Sequence, residues 1–199
     1  MTRLAASATG GHGGAGDVPA ADANPARRAL LQVAAAVTVL TVGRNGLSHG
    51  TTVSAMSTMS RNPLILGVCL RPSSKFAAMI RPATLFSVNV LSVRQADVAR
   101  RFADPLRPAG DGQFAGLDRT TDALTGAPLI GGCLAHLACR ATERLRVGDH
   151  ELLLAEVLLG TPGEGEPLVS FAGRLEGVKP DNGEPSTANA EPPTTTEGP

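Results

Sequence analysis

The sequence predicts a mainly β domain, an antiparallel β-barrel or sandwich with a few flanking helices. Three observations carry that expectation. Short β-branched or apolar runs recur at 37–42, 47–54, 64–70, 85–91, 134–147, 151–159 and 168–175. Asn45-Gly46 and Gly148-Asp149 each separate two such runs, a strong hairpin signal. Helical signal is confined to short stretches, so the strand–helix alternation of a doubly wound sheet is missing.

Residues 25–35 read as a short helix, with Pro25 in the first turn, where its missing N–H costs nothing. The β-branched run 37–42 turns at Asn45-Gly46, and 47–54 return beside it. The apolar run 64–70 follows Pro63 and is too short for a helix, so it reads as a buried strand. Ser73 or Ser74 caps a helical stretch to Ile80, since either hydroxyl can accept from a first-turn N–H. Residues 85–91 are another strand, and Ser92 with Gln95 forms a capping box opening a helix through Phe102. Residues 105–125 read as a polar loop. Residues 134–147 and 151–159 pair as a second hairpin, and 168–175 form the last strand. Residues 1–24 and 179–199 are poor in large aliphatic side chains and cannot offset their ordering entropy. Both are expected to be disordered tails around a folded unit at 25–178.

A chain of 199 residues and 20.3 kDa is long enough for one domain with a substantial core. Eighteen basic residues balance 18 acidic ones, with a pI near 6.9, which argues against a nucleic-acid binder and a polybasic membrane-surface protein. Without Trp or Tyr there is no aromatic platform for single strands. Cys69, Cys133 and Cys139 are odd in number and form no C-x-x-C pair, so reduced thiols in a cytoplasmic protein are expected. Arg27-Arg28 ahead of the apolar run 29–42 resembles a twin-arginine export segment. No A-x-A cleavage site follows, and the run passes directly into strand-like sequence. It is also shorter than the roughly 18–20 residues a spanning helix needs. Neither export nor a membrane anchor is expected.

Several motifs fail on context. Gly11, Gly13 and Gly16 spell G-x-G-x-x-G, but in a low-complexity tail rather than between a strand and a helix, where such glycines admit a pyrophosphate. His12, His49, His136 and His150 show no metal-ligand spacing, and no metal site is expected. Three segments hold chemistry. Residues 50–60 are dense in hydroxyls and small side chains, so they can present N–H groups and hydroxyls to a planar ligand or be a plain Ser/Thr-rich strand end and loop. Arg71-Pro72-Ser73-Ser74-Lys75 places two hydroxyls and an ammonium at a helix start, a phosphate receptor or simple N-capping beside a solvated lysine. His150 follows the Gly148-Asp149 turn, as a surface or a catalytic histidine.

In this order, the segments resemble one family: the flavin reductase-like proteins, with an FMN-binding split β-barrel, which serve as reductase components of two-component flavin monooxygenases. The marks are residues 50–60 with Asn62-Pro63, Ser73-Ser74-Lys75, the run 86–91, Arg101-Phe102-Ala103, Gly148-Asp149-His150 and Pro167-Leu168-Val169. The resemblance spans about residues 27–175. It implies a homodimeric NAD(P)H:flavin oxidoreductase that passes a hydride from NADH or NADPH to FMN or FAD and supplies reduced flavin to a monooxygenase partner. By position, Thr52, Val53, Ser54 and Ala55 would line the isoalloxazine edge, with Ser60 on the same wall. Ser73, Ser74 and Lys75 would hold the flavin phosphate, Asn89 and Phe102 would close the pocket, and His150 would sit where the nicotinamide stacks. Hydride transfer between two cofactors needs alignment more than an acid–base pair, and none is evident here. The alternatives are a split-barrel flavoprotein that holds its flavin tightly and acts on its own organic substrate, and a non-catalytic flavin binder. The Ala-, Gly- and Arg-rich composition is that of a high-GC genome, which points to an actinobacterial source and a natural-product pathway. The chain departs from the family's usual pattern at Ala55, at Phe76, and in the last strand at Ser170, Phe171, Ala172 and Leu175.

Overall fold

The computed structural model describes residues 24–44, 46–81 and 83–179; the expected tails fall outside these, apart from Asn24 and Lys179. In chain order the elements are α1 (Pro25–Leu30), β1 (Ala35–Ala36), β2 (Thr38–Arg44), β3 (Leu47–Val53), β4 (Met56–Arg61), β5 (Leu64–Leu70), α2 (Lys75–Met79) and β6 (Leu85–Val90). A 3-10 turn at Val93–Gln95 leads into α3 (Ala96–Ala103), and a second follows at Gly110–Phe114. Then come β7 (Arg119–Thr121), β8 (Pro128–Ile130), β9 (Ala135–Val147), β10 (His150–Pro162), β11 (Leu168–Phe171) and β12 (Arg174–Gly177).

Seven strands form one antiparallel sheet in the order β3-β2-β6-β9-β10-β5-β4. A flat sheet would set its edge strands about 29 Å apart, at about 4.8 Å per spacing. Yet β3 and β4 are joined by Ser54 and Ala55 alone, a link that reaches at most about 11 Å. The sheet therefore curls until its edges meet. Among the described residues no ladder closes them, and the Ser54-Ala55 link crosses the seam, while Cys69 N–H of β5 donates to Ala55 O at 2.9 Å and extends the β4–β5 pairing by one residue. This is a barrel with a split.

Alternation along β2 directs side chains to two cores. Leu40 and Val42 enter the barrel interior with Val68, Phe76, Phe86, Val88, Cys139 and Leu153. Val37 and Val39 face outward, where Leu91, Phe102, Phe114, Ile130 and Leu168 cover them. The apolar run 29–42 thus ends in the core, and among the described residues no helix is long and apolar enough to cross a membrane.

Four local readings differ from the structure. Residues 56–61 are not loop but the edge strand β4, whose alternation is masked because most of its side chains are exposed. The first helix stops at Leu30 rather than Ala35, because Ala35 pairs with Ser170 of β11. The final run divides into β11 and β12 at a tight turn, where Ala172 and Gly173 adopt φ +49° and +76°. The polar loop 105–125 contains a 3-10 turn and β7. The Ser92–Gln95 capping box forms as expected, with Gln95 Oε1 accepting from Ser92 N–H at 2.9 Å.

Candidate functional site

A cleft of about 700 Å³ opens at the split, within the roughly 300–1,000 Å³ typical of cofactor sites. Four chain segments build it: the end of β3 with the Ser54-Ala55 link, the end of β5 with the turn into α2, the end of α3 with residues 103–109, and the start of β10. Thr52, Val53, Ser54, Ala55, Ser73, Ser74, Lys75, Phe102 and His150 all line it. Residues some 20 to 100 positions apart in sequence therefore converge on one space.

The β3 wall offers main-chain groups because β3 is an edge strand. Ser48 O accepts from Gln113 Nε2 at 3.0 Å, while Gly50 N donates to Gln113 Oε1 at 2.9 Å and Gly50 O accepts from Arg107 Nη2 at 2.7 Å. These outward groups recur every second residue, so those of Thr52 point off the same free edge, at the cleft. Thr52 Oγ1 itself donates to Ala99 O at 2.7 Å, which ties the wall to α3. Gly50 is required by packing: a Cβ there would lie 2.7 Å from the Phe102 ring. Phe102 is buried and tilts against Phe114 with ring centres 5.0 Å apart, an apolar backstop to the cleft.

At the α2 rim, Ser74 is the N-cap, its hydroxyl accepting from Ala77 N–H at 3.1 Å. Ser73 and Lys75 stay exposed. Arg144 of β9 holds the other end of α2, donating to Ala77 O and Ile80 O at 3.0 Å each while pairing with Glu151. Glu151 follows His150 directly, so one arginine links the two rims. His150 Nδ1 lies 2.8 Å from Asp149 Oδ1, which orients the ring, and that hydrogen bond holds the Asp149 carboxyl below its ordinary range.

Two expected residues stand apart from the cleft. Asn89 is fully buried, donating to Val39 O and Thr41 Oγ1 and accepting from Ile130 N–H, so it braces the sheet instead of closing a pocket. Ser60 lies near the far end of β4, 3.3 Å from Asn62 N. Further residues line the space: Thr51 and Arg71, which lie within the segments singled out in the sequence, and His49, Cys69 and Arg107, to which the sequence assigns no part in the site. His49 is 6% exposed, and burial first, then the charges of Arg107 and Lys75, lower its pKa to about 4. Only the fold brings Arg107 across 57 residues to β3, so no local pattern could have found that contact. None of the departures in the last strand reaches this cleft, whereas Ala55 and Phe76 line it, Phe76 also filling the barrel core edge-on to Phe86. Among the described residues no cluster of His, Cys, Asp and Glu could hold a metal ion.

The donor set fits a flavin on its own chemistry. One rim carries hydroxyls and an ammonium for a phosphate, the β3 edge offers main-chain groups to a heterocycle, and Phe102 supplies an apolar wall. Comparison with known proteins agrees. Residues 30–179 match the model of the flavin reductase like domain. An NADPH-flavin oxidoreductase of Streptomyces viridifaciens is 42% identical over 149 residues, 74% of this chain and 77% of that protein. The reductase component of a 4-nitrophenol 4-monooxygenase/4-nitrocatechol 2-monooxygenase of Rhodococcus opacus is 33% identical over 149 residues, 75% and 77% of the two chains. The NADH:FAD oxidoreductase of Streptomyces globisporus C-1027, solved with NAD and FAD fragments, superposes with a TM-score of 0.73 at 30% identity, covering 79% of this chain and 93% of that one.

Proposed function

The chain belongs to the flavin reductase-like family, and from that premise we propose that it is an NAD(P)H-dependent flavin reductase supplying reduced FMN or FAD to a separate monooxygenase. The observation that carries this reading is the convergence of the Thr51–Ala55 edge, the Ser73–Lys75 turn and His150 on one cleft that contains no carboxylate. The bound flavin supplies the hydride acceptor for the nicotinamide. What remains for the protein is binding, alignment and exclusion of water.

Each segment has a part in that work. Ser73, Ser74 and Lys75 hold the phosphate with hydroxyl and ammonium donors, Ser74 through the hydrogen its capping bond leaves free. The main-chain groups and hydroxyls of Thr52, Val53, Ser54 and Ala55 line the ring edge, and fixed N–H dipoles there favour the negative charge that reduction creates. Phe102 packs behind and keeps water out. His150, its ring held by Asp149, would hold the nicotinamide beside the flavin. A neutral His49 suits a step in which no side chain moves a proton.

The protein works in the cytoplasm as a homodimer. Exposed apolar side chains support the dimer: Met59 of β4, Leu64 at the start of β5, and Leu145, Val147 and Leu159 on the β9–β10 hairpin. The Streptomyces and Rhodococcus relatives support an actinobacterial setting.

The test is NAD(P)H oxidation at 340 nm with substoichiometric FMN or FAD in air. Turnover that requires added flavin supports the reductase. Flavin that survives dialysis and needs no addition would instead identify a tightly held prosthetic group, and binding without oxidation a non-catalytic protein. His150→Ala should lower kcat/KM for NADH about 10-fold or more, roughly 1.4 kcal/mol of transition-state stabilisation.

A further inference from the structure

The cleft holds more positive charge than a single phosphate requires. Arg71, Lys75 and Arg107 line it with no aspartate or glutamate, although the whole chain is electrically balanced. On the functional reading above, Ser73, Ser74 and Lys75 already suffice for the one phosphate of FMN. Arg107 belongs to a different segment, between α3 and the second 3-10 turn, and is half-buried.

Arg107 is held in place by neutral acceptors. Its Nη2 donates to Gly50 O at 2.7 Å and its Nη1 to Asp104 O at 2.6 Å, with Nε 3.4 Å from Gln113 Oε1. Gln113, 1% exposed, braces the same corner by also donating to Gly110 O at 2.7 Å. The nearby Asp104 carboxylate acts on Arg107 through its charge, but it forms no ion pair with the guanidinium and accepts from Leu106 N–H at 2.8 Å. Among the described residues Arg107 thus has no salt bridge, and part of its five-donor fork stays uncommitted. His49, 3.5 Å from Nη2, is kept neutral and feels the charges of both Arg107 and Lys75, so the two cations flank one stretch of β3. A rigid, half-buried guanidinium that forms no salt bridge and faces a ligand cleft is arranged for an incoming anion.

We propose that Arg107, acting with Lys75 across His49, forms a station for the diphosphate of a dinucleotide, so that the cleft distinguishes a dinucleotide from a mononucleotide. The diphosphate can come from FAD or from NAD(P)H, and this inference rests on the reductase reading.

The experiment is Arg107→Gln, with FAD and FMN dissociation constants from flavin fluorescence and KM for NADH and NADPH with FMN as acceptor. If FAD supplies the diphosphate, its Kd rises about 10-fold, equivalent to about 1.4 kcal/mol, while that of FMN changes less than about 2-fold. If the nicotinamide nucleotide supplies it, its KM rises about 10-fold while FMN affinity holds. Arg107→Lys should recover part of either loss. Equal loosening of FAD and FMN with unchanged KM, or no change in any constant, overturns the station. Should Arg107→Gln not fold, the wild type decides: ADP must displace the bound dinucleotide at clearly lower concentration than AMP, and equal potency overturns the proposal. A wild-type protein that neither binds flavin nor oxidises NAD(P)H would overturn the reductase reading itself.

Discussion

A proton on the His49 ring would sit in a buried site beside Arg107 and within the field of Lys75. The ring therefore stays neutral down to about pH 4 in the folded protein, against about 6.5 in the unfolded chain. Between those values the unfolded state binds a proton that the folded state refuses, so stability falls as pH falls through that window. We expect a loss of roughly 1–2 kcal/mol from pH 7 to pH 5, read as a lower urea midpoint and reduced in His49→Gln. The three cysteines separate by the same physics. Burial raises Cys133 to about 11 and Cys139 to about 12, whereas Cys69 lines the cleft and is only half-buried. An aromatic disulfide reagent should therefore titrate one thiol in the native protein and three after denaturation, and saturating flavin should slow the first. Gly50→Ala would drive a methyl into the Phe102 ring. It should cost roughly 1–3 kcal/mol in thermal or urea unfolding and weaken flavin binding as the ring backs away.

At the scale of elements, α2 is only five residues long and has little stability of its own. Ser74 caps its start, Phe76 anchors it in the barrel, and Arg144 satisfies carbonyls at its end while pairing with Glu151. Arg144→Met removes those bonds and leaves a partly buried carboxylate alone. It should cost about 1–2 kcal/mol in urea unfolding and raise the flavin Kd several-fold while kcat changes little. The same elements show what a sequence can reveal. β5 coincides with its apolar run at Leu64–Leu70, and Ser74 caps α2, because these signals are local. β4 stayed hidden because an exposed edge strand rich in Ser and Met lacks alternation. β7 and β8 are three residues each and exist only by pairing with each other. In the site, hydroxyl-rich turns were legible, as was the family pattern they compose. His49 and Arg107 were not, since their meeting depends on residues 103–109 folding back onto β3. The family resemblance alone sets Asn89 at the pocket, while its amide here is spent on Val39, Thr41 and Ile130.

For the whole molecule, the proposed dimer would cover the apolar side chains exposed at the β4 edge and along the β9–β10 hairpin, and light scattering should then give twice the 20.3 kDa of the chain. A monomeric mass would return those residues to ordinary surface. The order of the large sheet also governs how the protein is made. Its central pair, β9 and β10, is encoded last, and they bind β6 and β5 from much earlier in the chain. On a ribosome, β6 is complete at Val90, yet the sheet stays in two pieces until Pro162 has been added, 72 residues on. At synthesis speeds of about 5–20 residues per second, that is a wait of roughly 4–14 s. For that interval the nascent chain carries finished apolar strands with no central pair to join them. Unpaired strand edges and uncovered apolar side chains are most open to aggregation during that interval.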